Sequence, residues 1–365
     1  MKWSEEQDAA LKAVDRWLHK GDSQVFRLFG YAGVGKTTLA RHLAEHVTGE
    51  VAFAAFTGKA AHVLRQKGCA GATTIHALIY RPTGDEPGDE GGPTFSLRRD
   101  APASKADLII IDECSMVDEE LGRDLLSFGA PVLVLGDPAQ LPPVKGGGFF
   151  TEAEPDFMLT EIHRQAADNP IIRVSMDVRL GRDPESYGEA CRIISRDELE
   201  TDMVMAADQT LVGTNRTRKR YNDRIRALKG HDGPYPEAGE KLVCLRNNKK
   251  KGLLNGSVWS VARLKSPRGR KIGLILAPED GLGGKTVSVS TPMAMFTDGP
   301  ENVPWEQKRG SDEFDFGYAL TVHKAQGSQW DEVVLFDESY AFREHRARWL
   351  YTGVTRAAER LTIVR

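Results

Sequence analysis

Lys36 and Thr37 close the run Gly30-Tyr31-Ala32-Gly33-Val34-Gly35-Lys36-Thr37, the G-x-x-x-x-G-K-[ST] spacing of a loop that wraps a phosphate in backbone N–H groups. In such a loop Gly33, Val34, Gly35, Lys36, Thr37 and Thr38 line the anion. Lys36 reaches the β- and γ-phosphates of ATP, and the Thr37 hydroxyl holds magnesium. A second reactive pair, Asp112-Glu113, ends the apolar run Leu108-Ile109-Ile110-Ile111. Asp112 suits the hydration shell of Mg2+, and Glu113 suits orienting or deprotonating an attacking water. Two adjacent acids would also serve as the first turn of a helix. A third apolar run, Val132-Leu133-Val134-Leu135, leads into Gly136-Asp137-Pro138-Ala139-Gln140. Gln140 is thereby placed to sense the γ-phosphate from a strand end, where open α/β sheets bind ligands.

Those side chains need strands to deliver them. Val25, Leu28 and Phe29 read as the end of a buried strand, and Leu39, Ala40 and Leu43 open a helical apolar pattern. Continuous apolar runs, rather than alternating ones, indicate parallel strands covered on both faces. The expected fold class is therefore α/β.

The phosphate loop, Asp112-Glu113-Cys114-Ser115-Met116-Val117-Asp118 and Gly136-Asp137-Pro138-Ala139-Gln140-Leu141-Pro142-Pro143-Val144, in that order, resemble motifs I, II and III of superfamily 1B helicases of the RecD and Dda type. Further segments fit the same pattern. Trp3-Ser4-Glu5-Glu6-Gln7 resembles the adenine-reading Q motif, with Gln7 as the contact. Phe56-Thr57-Gly58-Lys59-Ala60-Ala61 and Thr73-Thr74-Ile75-His76 resemble strand-contacting motifs. Leu159 to Gln165 resembles motif IV, Leu320 to Ser328 motif V, and Tyr351-Thr352-Gly353-Val354-Thr355-Arg356-Ala357 motif VI.

The resemblance implies two RecA-like P-loop NTPase domains, with a β-hairpin insertion in the first and a small SH3-like β-barrel insertion in the second. It implies Arg164 and Arg356 as arginine fingers from the second domain, closing across a cleft on Lys36, with Gly327 also at the nucleotide. A planar guanidinium meets phosphate oxygens in a bidentate way, although any single arginine also makes a serviceable surface ion pair. Contacts to the nucleic-acid strand are expected from Thr57, Lys59, Thr74 and His76 in one lobe, and from Asn215, Thr321 and His323 in the other. Hydroxyls, amides and imidazoles bind phosphates without reading sequence. Each histidine would equally fit a satisfied core position.

The 365 residues carry a formal charge of −3, so no overall basic signature marks a nucleic-acid partner. The distribution is uneven: residues 211–275 contain seventeen Lys/Arg against four Asp/Glu. A basic face of that kind can track phosphates, and part of it reads equally as the solvated face of a helix bearing Arg216, Arg218, Lys219, Arg220, Arg224 and Arg226. The four cysteines, Cys69, Cys114, Cys191 and Cys244, are too scattered for a zinc site or disulfide framework and are expected to be reduced and packed. No signal region or membrane-length apolar run is evident, so the expected location is cytoplasmic, with no membrane partner.

The expected boundaries are 1–76 and 104–155 for the first domain, 77–103 for its hairpin, 156–230 and 313–365 for the second domain, and 231–312 for the barrel insertion. Two short strands flank the tip from Pro82 to Pro93, which carries Asp85, Glu86, Asp89 and Glu90. It reads as a hairpin or as a surface loop, and the family resemblance implies a strand-separating pin, with Tyr80 or Phe95 as wedge. The composite expectation is a monomeric ATP-dependent helicase moving 5′ to 3′ on single-stranded DNA and opening tailed duplexes, with replication or recombination proteins as further partners. The chain opens at the Q motif, without the N-terminal domain of RecD subunits, which fits a free-standing motor. A strand translocase, an RNA helicase and an ATP-switched binding module in a recombination complex remain the alternatives.

Overall fold

A computed structural model of the chain describes residues 3–87, 93–143, 146–161, 168–279 and 285–365. The chain divides into two compact units: residues 1–81, 95–193 and 339–361 form the first, and residues 82–94, 194–338 and 362–365 the second.

The first unit is built on six parallel strands: β1 (Val25–Gly30), β2 (Val51–Ala55), β3 (Thr73–Thr74), β6 (Leu108–Asp112), β7 (Val132–Gly136) and β8 (Phe157–Leu159), in the order β3-β2-β6-β7-β1-β8. The apolar runs are buried on both faces, as expected for a covered parallel sheet. In β6, Leu108 and Ile110 pack with Ala10, Val14, Leu39 and Leu64. These come from helices α1 (Glu5–Lys20), α2 (Lys36–His46) and α3 (Gly58–Gln66). Ile109 and Ile111 point the other way, to Ile75, Leu78, Leu121 and Leu125 of α4 (Ile75–Ile79) and α5 (Glu119–Leu126). The period-two alternation of a strand thus serves two cores at once. β4 (Tyr80–Pro87) and β5 (Pro93–Leu97) form a separate two-stranded sheet. At its base Arg98 N–H donates to Ile79 C=O at 2.9 Å, and Tyr80 Oη donates to Asp124 at 2.6 Å. Residues 88–92, which include Asp89 and Glu90 of the acidic tip, lie outside the described residues.

The unit boundary differs from the expected one, because residues 156–193 and 339–361 group with the phosphate loop. The cause is long-range pairing. Phe157 of β8 is in parallel register with Leu28 of β1, and side chains of the helix Arg346–Val354 bond the loops after β1 and β7.

The second sheet has the order β16-β10-β17-β18-β9, from β9 (Cys191–Ile194), β10 (Gln209–Val212), β16 (Ala319–Thr321), β17 (Trp330–Phe336) and β18 (Ala357–Val364). β10 runs parallel to both β16 and β17. The helix Asn215–Leu228 follows β10. Arg218 and Arg226 of this helix are not on a solvated face: both are buried, in ion pairs with Asp315 and Glu240 respectively.

Within the 231–312 region, antiparallel strands β11 (Lys241–Cys244), β12 (Val258–Arg268), β13 (Lys271–Pro278) and β14 (Val287–Pro292) join β15 (Phe314–Phe316) in the order β14-β13-β12-β11-β15. Leu242, Trp259, Val261, Leu274, Leu276, Val289 and Phe314 form its core. β12 extends seven residues past Val261 to Arg268, all of them exposed.

Candidate nucleotide-binding active site

The phosphate loop leaves β1 with a tight steric constraint. A Cβ on Gly30 would lie 2.8 Å from Val34 Cγ2 and 2.9 Å from Leu159 Cβ, so only glycine lets the loop pass β8. Gly33 and Gly35 take φ of 84° and 82°, backbone that L side chains rarely adopt. Lys36 donates from Nζ to the carbonyls of Gly30 at 2.6 Å and Tyr31 at 3.0 Å. Gln7 is 3% exposed. Its amide accepts from Ser4 N–H at 3.1 Å, closing a capping box on α1, and donates to Val34 C=O at 3.1 Å. The Q-motif helix is thus tied to the loop through the amide expected to read adenine.

Thr37 Oγ1 donates to Asp112 Oδ2 at 2.8 Å, while Asp112 Oδ1 accepts from Glu113 N–H at 2.9 Å. Hydroxyl and carboxylate oxygens converging on one point are the hard donor set that Mg2+ takes. Thr38 follows in the first turn of α2. Glu113 sits in left-handed backbone, φ 54° and ψ 47°, an uncommon state for a non-glycine residue and a frequent mark of an active site. Burial lifts its carboxyl above the usual range, Arg356 and Lys36 oppose the shift, and Asp112 and Asp137 add to it. Asp137 is 2% exposed and is likewise raised by burial, against Lys36 and its hydrogen bond from Tyr351. Gln140 is buried, and its Oε1 has no hydrogen-bond partner. An orphaned acceptor at this place fits a site made to receive a donor such as water. The residues present therefore fit a magnesium nucleotide.

Arg356 is buried, with Nε donating to Thr352 C=O at 3.0 Å. It belongs to the same unit as the phosphate loop rather than to a separate domain. The other expected finger, Arg164, lies outside the described residues.

The strand-contact candidates show a shared local design. Thr57 and Thr74 in the first unit, and Thr321 in the second, each cap the helix after a strand, accepting from Ala60 N–H, Ala77 N–H and Lys324 N–H at 3.1, 3.2 and 3.3 Å. A capping hydroxyl spends a lone pair and keeps its O–H for another acceptor. Lys59 departs from expectation, being 7% exposed and packed in the first turn of α3. His76 is half-buried among Phe56, Tyr80 and Phe95, with ring centroids 6.2, 5.6 and 5.8 Å away. Burial lowers its pKa, so it is held as the neutral imidazole. In the second unit Asn215 is exposed at the start of its helix, His323 is half-buried, and Gly327 turns in left-handed backbone at φ 73°.

The AAA-domain family matches residues 2–197, more than half of the chain. The chain belongs to the AAA-domain family. Residues 316–364 match the UvrD-like helicase C-terminal domain. It is similar to the ATP-dependent RecD2 DNA helicase of Deinococcus radiodurans, 31% identical over 360 residues covering 91% of this chain and 46% of the relative. It also resembles the RecBCD enzyme subunit RecD of Mycolicibacterium smegmatis, 27% identical over 99% of this chain and 70% of that protein. The chain thus spans less than half of the RecD2 relative. Among solved structures, Pif1 helicase from Candida albicans matches with a TM-score of 0.60 at 19% identity, covering 100% of this chain and 94% of that one. Bacteroides Pif1 in complex with ADP-AlF3 and ssDNA matches with a TM-score of 0.59 at 18% identity, covering 100% and 92%. Both likenesses are of fold: α/β with a parallel sheet.

Three side chains at or beside the phosphate loop escaped the sequence reading. Tyr351 and Asp137 sit in quoted motifs without an assigned role, yet their bond is central to the site. Arg179 stacks over Tyr31 of the phosphate loop, 3.5 Å from the ring centroid. No local signal flags that pair, which meets across 148 positions of sequence. Among the described residues, no helix is long and apolar enough to cross a membrane.

Proposed function

We propose that the chain is an ATP-dependent DNA helicase that moves 5′ to 3′ along single-stranded DNA and opens duplexes. The observation that carries this reading is the convergence of Thr37, Asp112, Glu113, Gln140 and Arg356 around the phosphate loop. Loop N–H groups and the α2 N-terminus receive the phosphates, and Lys36 exchanges its loop carbonyls for phosphate oxygens. Thr37 and Asp112 would hold Mg2+, which when bound would neutralise charge on the transferring phosphate. Gln140 Oε1 orients the attacking water and Glu113 takes its proton. A carboxyl lifted toward neutral pH is a better base for that step. Arg356, with Arg164, meets the charge that builds up on the γ-phosphate. Gln7 and Gly327 bound the nucleotide.

Thr57, Thr74, His76, Asn215, Thr321 and His323 grip the strand backbone without reading bases, with Lys59 supporting α3 from within. The β4–β5 sheet serves as the separating pin, and the β11–β15 sheet is an SH3-like insertion. The protein acts as a monomer in the cytoplasm, alongside replication or recombination partners.

The test is ATP-driven unwinding of one duplex carrying either a 5′ or a 3′ single-stranded tail. Opening of the 5′-tailed substrate alone is the expected outcome. Opening of neither, with strand-stimulated ATPase intact, would leave a translocase.

A further inference from the structure

The helix Arg346–Val354 reaches the nucleotide site through two consecutive side chains. Tyr351 is 1% exposed, and its hydroxyl donates to Asp137 Oδ2 at 2.6 Å while accepting from Ala32 N–H at 3.1 Å. A phenol has a single proton to give, so this pair of bonds fixes the hydroxyl's direction. Ala32 is the third residue of the phosphate loop, and Asp137 opens the segment that carries Gln140. The next residue, Thr352, accepts from Leu141 N–H at 2.9 Å through Oγ1, directly beyond Gln140. The Thr352 carbonyl in turn anchors Arg356 Nε at 3.0 Å. The phosphate loop, the Gln140 segment and the arginine therefore share one connection, in which the Tyr351 hydroxyl is bonded both to the loop and to Asp137.

We propose that Tyr351 is a positioning residue for ATP turnover, its hydroxyl holding the phosphate loop in register with Asp137–Gln140 and with Arg356. This rests on the ATPase reading above. The residue acts through its neighbours, so its removal should misplace reacting groups rather than delete one. Small displacements of such groups cost up to about a hundredfold in rate.

Tyr351→Phe keeps the ring and removes the hydroxyl. Two readouts follow it: amide hydrogen exchange in nucleotide-free protein, and steady-state ATPase with single-stranded DNA. We expect faster exchange in the peptide containing Ala32, with exchange elsewhere in the first unit unchanged. We expect kcat to fall about tenfold to a hundredfold while KM for ATP moves less than about threefold. Asp137→Ala should reproduce the loss, Asp137→Asn should recover part of it because an amide oxygen still accepts from the phenol, and the Tyr351→Phe, Asp137→Ala double variant should be no worse than either single one. Wild-type exchange at Ala32 in Tyr351→Phe, or strictly additive losses in the double variant, would overturn the proposal. A wild-type protein that hydrolyses no ATP would instead overturn the ATPase reading, and the exchange measurement would still report on the hydrogen bond.

Discussion

In the first unit Thr57 just after β2 and Thr74 at the end of β3 each cap the next helix; in the second, Thr214 just after β10 and Thr321 at the end of β16 do the same. The two sheets diverge in what stands beside those caps. The first has a glycine-bent loop and a left-handed Glu113 whose carboxyl is raised by burial, with Asp112 and Asp137 adding to the shift. The second has Arg218 and Arg226 buried against Asp315 and Glu240. A threonine cap after a strand is thus common to both sheets, while among the described residues the left-handed acid and the orphaned Gln140 oxygen stand beside the phosphate loop and the buried arginines of the second unit are paired.

The comparison breaks if chemistry is not confined to the first unit. Lys36→Ala should abolish strand-stimulated ATPase, by roughly a thousandfold or more, with the charge that meets the developing phosphate gone. Glu113→Gln should lower kcat by about a hundredfold to ten-thousandfold, with nucleotide still bound in a direct binding assay. Glu113 must be ionised to act and its pKa is raised, so wild-type kcat should decline as pH falls through a value above the ordinary carboxylate range. That acid limb should disappear from the residual rate of Glu113→Gln. Normal turnover in this variant would remove Glu113 from the reaction.

In the second unit the expected effect is on stability. Glu240 takes two bonds from Arg226, at 2.7 and 2.9 Å, and is wholly buried. Glu240→Ala should destabilise by about 3–5 kcal/mol, since it strands a buried guanidinium; chemical denaturation reads this. The smallest effects sharpen the parallel between the sheets. Thr57→Val and Thr321→Val should each cost about 1 kcal/mol as lost caps, and each should weaken single-strand binding a few-fold in an anisotropy titration. A loss from only one of them would mean that the two sheets do not share the grip.

Most of the proposed nucleotide site is legible in the sequence because it is local. The glycines, Lys36 and Thr37 occupy eight consecutive positions, and β6 and β7 are unbroken apolar runs up to the residues they deliver. What was not legible depends on distant pairings. Arg218 and Arg226 looked like solvated charges, because Asp315 lies 97 positions from Arg218 and a bend must return Glu240 to Arg226. Lys59 matched a strand-contacting motif, but its place in the first turn of α3 turns it inward. The grouping of residues 339–361 with the first unit follows from Tyr351 and Asp137, 214 positions apart. No periodicity within either segment encodes that meeting.

All four cysteines are buried and free. Burial holds the Cys191 and Cys244 thiols up at about 12 and raises Cys69 and Cys114 as well. At neutral pH they offer almost no thiolate to a maleimide or to peroxide. A single cysteine introduced on an exposed residue would then be the one site a dye finds, so fluorescent reporters can be placed on the native background without first stripping it of sulfur.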